Sequence, residues 1–420
     1  MKKSLILVPH QDDEINLVGN IVDKIKNEYE LYVVYSSLDV RSEYGKIRKQ
    51  EAYASCVVWG IDAEHIIFLE YPDISNKEGK HYFTDGDHEI VDRLQEMIVT
   101  LKPDIIFATD FDYHADHRML SLAFEEAMGK VLKACADYKP TVLKGFCYDT
   151  AYYGLEDYKA SKPGKNEVVN RDILSNCSLE WKDRWSILGS EEPGFIWNRK
   201  AYKALSKHKS QYAVLHAKSI INADNVFWNK RTDNLMLNAH IESISGDVSK
   251  LNDFMVIDTD DIITIDPRNI DYSKVVWDSG SKNAEIKIYW DNDINIDRLI
   301  FHGNPNWTED KQIEICILDA VGRKIADFSG MKSYGRNTEV CFDEICTHSL
   351  IVKFLSETID IELSEIEAFC GDGRKCMLVD NDAIVPGKDN SIIDLIDNLG
   401  YKWIVFKTKV GRKILKLVRR

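Results

Sequence analysis

The sequence predicts an α/β protein: a Rossmann-like parallel sheet, then an antiparallel β-sandwich, then a basic amphipathic C-terminal helix. Three observations carry this expectation. Strands alternate with helices through the first 150 or so residues, short alternating runs replace them from about Asn238, and Lys402 to Arg420 holds eight Lys/Arg and no acid.

The elements follow in order. Ser4–Val8 reads as a buried strand, and Asp13–Tyr29 has helical spacing through Ile15, Val18, Val22 and Ile25. Leu31–Ser36 is a second strand, and Lys46–Trp59 a helix closed by Gly60. Ile66–Leu69, Asp104–Ala108 and Val142–Tyr148 read as strands, with helices over His88–Leu101 and Ala115–Leu132 between them. Such alternation implies βαβ units and a parallel sheet with right-handed crossovers. In the common order 3-2-1-4-5 the first and fourth strands are neighbours at the switch point, where ligands bind beyond the strand ends.

From Asn238 the runs Glu285–Tyr289, Arg298–Phe301, Gln312–Leu318 and Leu350–Phe354 are punctuated by Ser279-Gly280, Gly303-Asn304-Pro305-Asn306 and Val321-Gly322. That pattern reads as an antiparallel sandwich ending near Phe369. A polar linker with Pro386-Gly387 leads to the tail. The expected units are therefore residues 1–237, 238–372 and 373–420.

Composition narrows the function. At 420 residues with 44% hydrophobic and 29% charged residues, the chain reads as a multi-domain globular protein. A formal charge of −15 with no basic stripe on the main body argues against nucleic-acid binding. Neither a signal peptide nor an apolar stretch of the roughly 20 residues that span a bilayer is expected. Nine scattered cysteines without CxxC spacing suit reduced thiols in a cytoplasmic protein; Cys341 and Cys346 read as core thiols.

Two clusters carry the chemistry: Pro9-His10-Gln11-Asp12-Asp13-Glu14 after the first strand and His114-Ala115-Asp116-His117 after the fourth. Alone, His-x-x-Asp or His-x-x-His is commonly surface polarity or a helix cap. Both at adjacent strand ends point to one shared metal ion, since a catalytic zinc takes three His or carboxylate ligands and leaves a position open. His10 and Asp13 are close enough to share an ion, and only one of His114 and His117 need join them. Asp12, beside a ligand, is placed to accept a proton from water, and Glu14 and Asp116 read as groups that orient the imidazoles. Zn²⁺ is the expected ion, although such a donor set also accepts Fe²⁺ or Co²⁺.

These clusters resemble the PIG-L (LmbE-like) family of zinc-dependent N-acetylglucosaminyl de-N-acetylases. The likeness extends to Arg48-Lys49-Gln50-Glu51-Ala52, Tyr71-Pro72-Asp73 and Ala204–Gln211, covering roughly residues 1–235. It implies His10, Asp13 and His117 as zinc ligands, Asp12 as general base, and His114 as the group that stabilises the oxyanion or protonates the leaving amine. It further implies Arg48 and Asp73 as sugar contacts. Gln11 stands where a proline is frequent. Ser37-Leu38-Asp39-Val40-Arg41 departs from the family's Gly-rich loop, so the resemblance does not extend to Asp39.

Trp277-Asp278-Ser279-Gly280, Glu285–Tyr289 and Ser364–Phe369 resemble a discoidin-type (galactose-binding-like) sandwich, a shape that often binds carbohydrate but does not fix function. Most of its aromatics are expected in the core. In the tail, Trp403, Phe406, Val410, Ile414 and Leu417 recur at helical steps, with Lys409, Arg412, Lys413, Lys416 and Arg420 largely opposite. Such a helix can lie in an anionic membrane surface or pack on the acidic body or a partner.

The expected activity is deacetylation of an N-acetylated amino sugar or glycolipid in surface-polysaccharide or glycolipid assembly, peripherally at the inner membrane face. An amidase acting on an amino-sugar thiol conjugate, or another small amide, is the enzyme alternative. A carbohydrate-binding scaffold is the non-enzymatic one.

Overall fold

The computed structural model describes residues 1–38, 42–71, 89–112, 114–147, 179, 183–187, 189, 196–216, 225–256, 275–373, 376–379 and 391–418. The expected elements appear with modest changes of boundary. In the first unit β1 is Lys2–Val8, β2 Tyr29–Ser37, β3 Ile66–Tyr71, β4 Ile105–Thr109 and β5 Thr141–Gly145. These five strands are parallel in the order β3-β2-β1-β4-β5. The sheet is extended beyond β5 by β7 (Asn225–Lys230) and β6 (Arg184–Ile187), both joined by antiparallel pairing that the sequence pattern did not reveal.

Sheet parity sorts the core. Ile6, Val8, Val33 and Tyr35 face one layer, with Ile15, Val18, Ala52 and Cys56 of the helices on that side. Leu5, Leu7, Val34 and Ile106 face the other, against α4 (Glu89–Leu101) and α5 (Ala115–Ala134). Central parallel strands are covered on both faces, which is why β1 and β4 are near-continuous apolar runs. Ser4 pairs with Ile105 and Leu7 with Ala108, so the segments leaving β1 and β4 emerge side by side.

One expected helix is two. Residues 13–29 form α1 (Asp13–Val18) and α2 (Val22–Glu28), and Tyr29 already belongs to β2. The chain turns over residues 19–21, where Gly19 N–H bonds Ile15 and Ile21 N–H bonds Val18. Ile15, Val18, Val22 and Ile25 are all buried, so periodicity identified the apolar face but not the break within it. In α3 (Glu43–Val58), Ser42 Oγ caps Gly45 N–H at 2.9 Å, and Gly60 takes the positive φ, 67°, that ends the segment.

In the second unit, β8 (His240–Ser243), β9 (Trp277–Asp278), β10 (Asn283–Gly303), β11 (Lys311–Asp319), β12 (Lys324–Met331), β13 (Asn337–Ser356) and β14 (Glu362–Phe369) pair antiparallel throughout. The expected runs Glu285–Tyr289 and Arg298–Phe301 are two halves of β10, a 21-residue strand. Register shifts at Tyr289/Ile294 and Ile296/Arg298 bend it and β13 together, as bulges do. The two halves of the bent sheet pack face to face: Phe301 in the second half of β10 meets Phe354 of β13 edge to face at 5.6 Å. Trp277, Trp290 and Trp307 are buried, as expected of sandwich aromatics. Cys341 and Cys346 are not core thiols; both lie exposed and unbridged on β13.

The two units are sewn together. Leu237 packs into the first and Met236 into the second, Ala368 N–H bonds Asn234 Oδ1 at 2.9 Å, and the Arg231 guanidinium lies 3.9 Å from the Phe369 ring centre. Near the sheet, α6 (Lys200–Leu205) packs against the first core, and α7 (Ser391–Val418) forms the expected tail helix.

Candidate active site

The segments leaving β1 and β4 deliver His10, Asp13 and His117 to one buried point. His10 Nδ1 lies 3.2 Å from Asp13 Oδ2, and His117 Nε2 lies 3.2 Å from the same oxygen. Each imidazole turns its other nitrogen to a second buried carboxylate: His10 Nε2 to Asp116 Oδ2 at 2.9 Å, and His117 Nδ1 to Asp112 Oδ2 at 2.8 Å. Burial alone would lower the pKa of His10, but Asp116 and Asp13 outweigh it and raise it to about 9. Burial likewise opposes the charge on His117, yet Asp112 and Asp13 hold that imidazole well above its ordinary value. Asp13, which burial would push up, is held well below the carboxylate range by His117 and His10. The pocket attracts positive charge.

The His10–Asp13 and His117–Asp13 pairs are spaced as ligands of a divalent metal are, but the trio is not itself one of the convergent three-residue donor sets. Ligands bound at about 2.0–2.1 Å to a tetrahedral zinc stand about 3.3 Å apart, close to both observed separations. An imidazole whose far nitrogen is held by a carboxylate is the usual arrangement of a metal-ligating histidine. Among the described residues, two donor sets lie within 4.8 Å: His10, His114 and His117, and Asp13, His117 and Cys147. His117 is common to both. His114 uses Nδ1 to accept the Asp116 N–H at 3.2 Å, which places its own proton on Nε2. Burial first, then Asp13 and Asp112, push the Cys147 thiol well up.

Asp12 stands partly exposed beside this cluster with φ 124°, a strained setting for a residue with a Cβ. Its N–H is held by Glu14 Oε2 at 2.9 Å and its C=O by Ile15 N–H at 3.1 Å. Burial and then the Asp13 carboxylate push the Asp12 carboxyl up to about 7, against the pull of His208 and Arg48. Glu14 does not orient His10 or His117. It accepts from Ser55 Oγ at 3.0 Å and lies 3.2 Å from His208 Nε2, so its role is to fix the wall behind Asp12. Asp116, by contrast, does hold an imidazole of the cluster.

Arg48 reaches the site, with Nη2 3.5 Å from the Gln11 carbonyl and Nε buried without a hydrogen-bond partner. Asp73 and Asp39 lie outside the described residues. Gln11 is buried, its side-chain amide donating to Ser37 C=O at 2.7 Å, while its backbone carbonyl accepts from Gln211 Nε2 at 3.2 Å. Asp112, His208 and Gln211 were not assigned by sequence reasoning. Asp112 sits two residues before His114, and the other two lie inside Ala204–Gln211, but nothing in their spacing tells which neighbour each would meet. A separate cavity of 220 Å³ lies at the seam between the units, lined by Lys144, Trp228, Arg231, His302 and Phe369 among others, and belongs to a different part of the molecule.

An α/β unit with a His/Asp cluster at adjacent strand ends is the class defined by this geometry. Residues 5–128 match the PIG-L family, described as GlcNAc-PI de-N-acetylase, and form a PIG-L domain. Among solved structures, N,N'-diacetylchitobiose deacetylase from Pyrococcus horikoshii, complexed with its inhibitor MPG, is 22% identical, with a TM-score of 0.27. The match covers 33% of this chain and 52% of that one, so the chain spans about half the length of that relative. The family 32 carbohydrate-binding module from C. perfringens NanJ in complex with galactose is 12% identical over 31% of this chain and 93% of its own, TM-score 0.23. Chitosan-binding module 1 from a Paenibacillus sp. IK-5 chitosanase/glucanase is 15% identical over 33% and 98%, TM-score 0.23. No curated protein matches the chain.

Proposed function

We propose that this protein hydrolyses the N-acetyl group of an N-acetylated amino sugar, releasing acetate, with a divalent metal held by His10, Asp13 and His117. The observation that carries this reading is the meeting of two imidazole nitrogens on one Asp13 oxygen, each ring backed by a further carboxylate. The PIG-L match over residues 5–128 supports the acetamide as the bond attacked. Residues 1–237 form the deacetylase unit in this reading, 238–372 the sandwich, and 373–420 the linker and tail.

A bound zinc ion supplies a Lewis acid that acidifies water and polarises the acetamide carbonyl. Asp12 takes the proton of the attacking water, whose oxygen bonds to the acyl carbon as the carbonyl electrons move onto its oxygen. His114, with its proton on Nε2, donates toward that oxygen. Collapse breaks the C–N bond, and the proton held by Asp12 passes to the amine nitrogen, leaving amine and acetate. Arg48, and Asp73 by family likeness, contact the sugar. Asp116 and Asp112 fix the ligand rings, and Glu14 fixes His208 behind the base. A cytoplasmic setting belongs to this reading because the nine cysteines are scattered without CxxC spacing, and we favour a lipid-linked substrate because the basic tail helix suits a lipid surface.

The test is acetate release, followed by mass spectrometry across N-acetylglucosamine lipids, nucleotide sugars and amino-sugar thiol conjugates. Asp12→Ala is expected to keep its metal and lose about 10²–10⁴-fold in kcat; wild-type turnover would remove it as the base. His117→Ala is expected to lose the metal, and a stoichiometric content would strike it from the ligands. Turnover confined to thiol conjugates would shift the substrate class. Metal binding without turnover on any donor would leave a scaffold.

A further inference from the structure

We infer that the outward face of α7 seats the protein on an anionic lipid surface, with the wall of the active site fixed to the same helix. The helix has two unlike faces. One is docked: Tyr401 is buried and donates to the Leu215 carbonyl at 3.3 Å, Val405 packs on the first core, and the Arg412 guanidinium lies 5.0 Å from the Tyr212 ring centre. Gly400 allows the contact, since a Cβ there would meet Trp197 at 2.1 Å.

The other face is apolar and uncovered. Leu399, Trp403, Phe406, Val410, Ile414 and Leu417 are all exposed, Trp403 at 58% and Leu417 at 71%. At 100° per residue they fall within an arc of about 80°, nearly opposite Tyr401, Val405 and Thr408. The helix therefore does not bury this stripe against the acidic body, one of the three outcomes open from sequence. Trp403 and Phe406 stack at 5.7 Å, with Lys407 Nζ 5.9 Å from the Trp403 ring centre. Lys402, Lys409 and Lys413 run along one border of the stripe and Lys407 along the other, the placement from which lysines reach headgroup phosphates while aromatics enter the interface. No helix among the described residues is long and apolar enough to cross a membrane, so this one would lie on it.

Charge selects the occupant. A second copy of the chain would bring a like row of lysines onto this row, and zwitterionic lipid would gain little from them, whereas anionic lipid attracts each one. The docking bed gives the consequence. Residues 208–216 hold both partners: His208 faces Glu14, Gln211 donates to the Gln11 carbonyl, and Tyr212 and Leu215 carry the helix. Lipid binding stands without any assumption about catalysis. Its corollary, that the sugar acted on is carried by a lipid, rests on the deacetylase reading.

The experiment is flotation of the full-length protein with phosphatidylcholine vesicles, with and without phosphatidylglycerol. Co-flotation is expected only with phosphatidylglycerol, and it should weaken as salt rises. Trp403→Glu with Phe406→Glu should lose more than about tenfold in vesicle affinity. Replacing Lys402, Lys409 and Lys413 by Gln should lose about fivefold per lysine. Both variants should keep the wild-type melting temperature and wild-type acetate release from a soluble substrate. Failure to float with anionic vesicles, equal flotation with both lipids, or a dimer in sedimentation that the Trp403/Phe406 variant dissolves would each overturn the inference. Flotation without acetate release from any donor would instead sink the deacetylase reading and leave this one standing.

Discussion

Asp112 lies two residues before His114, yet its carboxylate reaches back to His117 Nδ1 at 2.8 Å and also accepts the backbone N–H of Cys147 at 3.2 Å. It fixes which nitrogen of His117 faces Asp13. Asp112→Ala should therefore weaken metal affinity by about 10–100-fold while leaving the three proposed ligands in place. A chelator competition titration measures this, and an unchanged affinity would mean the ring needs no second carboxylate. His114→Ala separates the two donor sets at the same scale. The metal should remain and kcat should fall, because His114 Nδ1 is already engaged by the Asp116 N–H.

At the scale of elements, α5 does two tasks at opposite ends. His114 caps its N-terminus, where His117 and Asp116 enter the site, and farther along Gly129 lets the sandwich approach. A Cβ on Gly129 would stand 2.3 Å from the Asp253 carbonyl oxygen, a backbone atom that cannot swing aside. Gly129→Ala should cost about 1–3 kcal/mol through overpacking, despite alanine's better helix propensity. Thermal denaturation reads it as a fall of several degrees, and an unchanged or raised melting temperature would show that the seam gives way freely.

Across the whole molecule, that same seam holds a buried acidic pair. Glu365 accepts the N–H groups of Asp253 and Phe254 at 3.1 and 3.3 Å. Burial pushes the Asp253 carboxyl up to about 7, against Lys250 and Lys133, and burial with the Asp253 charge holds Glu365 well above its ordinary range, against Lys230. The folded seam prefers protonated acid. Its contribution is therefore whole below the unfolded carboxylate pKa of about 4 and is lost as pH rises through about 7. The melting temperature should fall between mildly acidic and mildly alkaline buffer, and Asp253→Asn should flatten that slope. An identical slope in the variant would place the pH dependence elsewhere.

Much of this was legible in the chain itself. Strand–helix alternation and two unbroken apolar runs determined a parallel sheet with β1 beside β4, because a strand covered on both faces must be apolar along its length. The residue types of the clusters at those strand ends then named metal chemistry. Helical spacing marked both faces of α7 without saying which would be covered. Contacts that depend on how distant segments pack were decided only by the tertiary structure. Asp116 on His10, Glu14 on His208, the antiparallel β7 beyond β5 and the single bent β10 all answer to neighbours many residues away. Local periodicity records which side of an element is apolar; it holds no record of what arrives there.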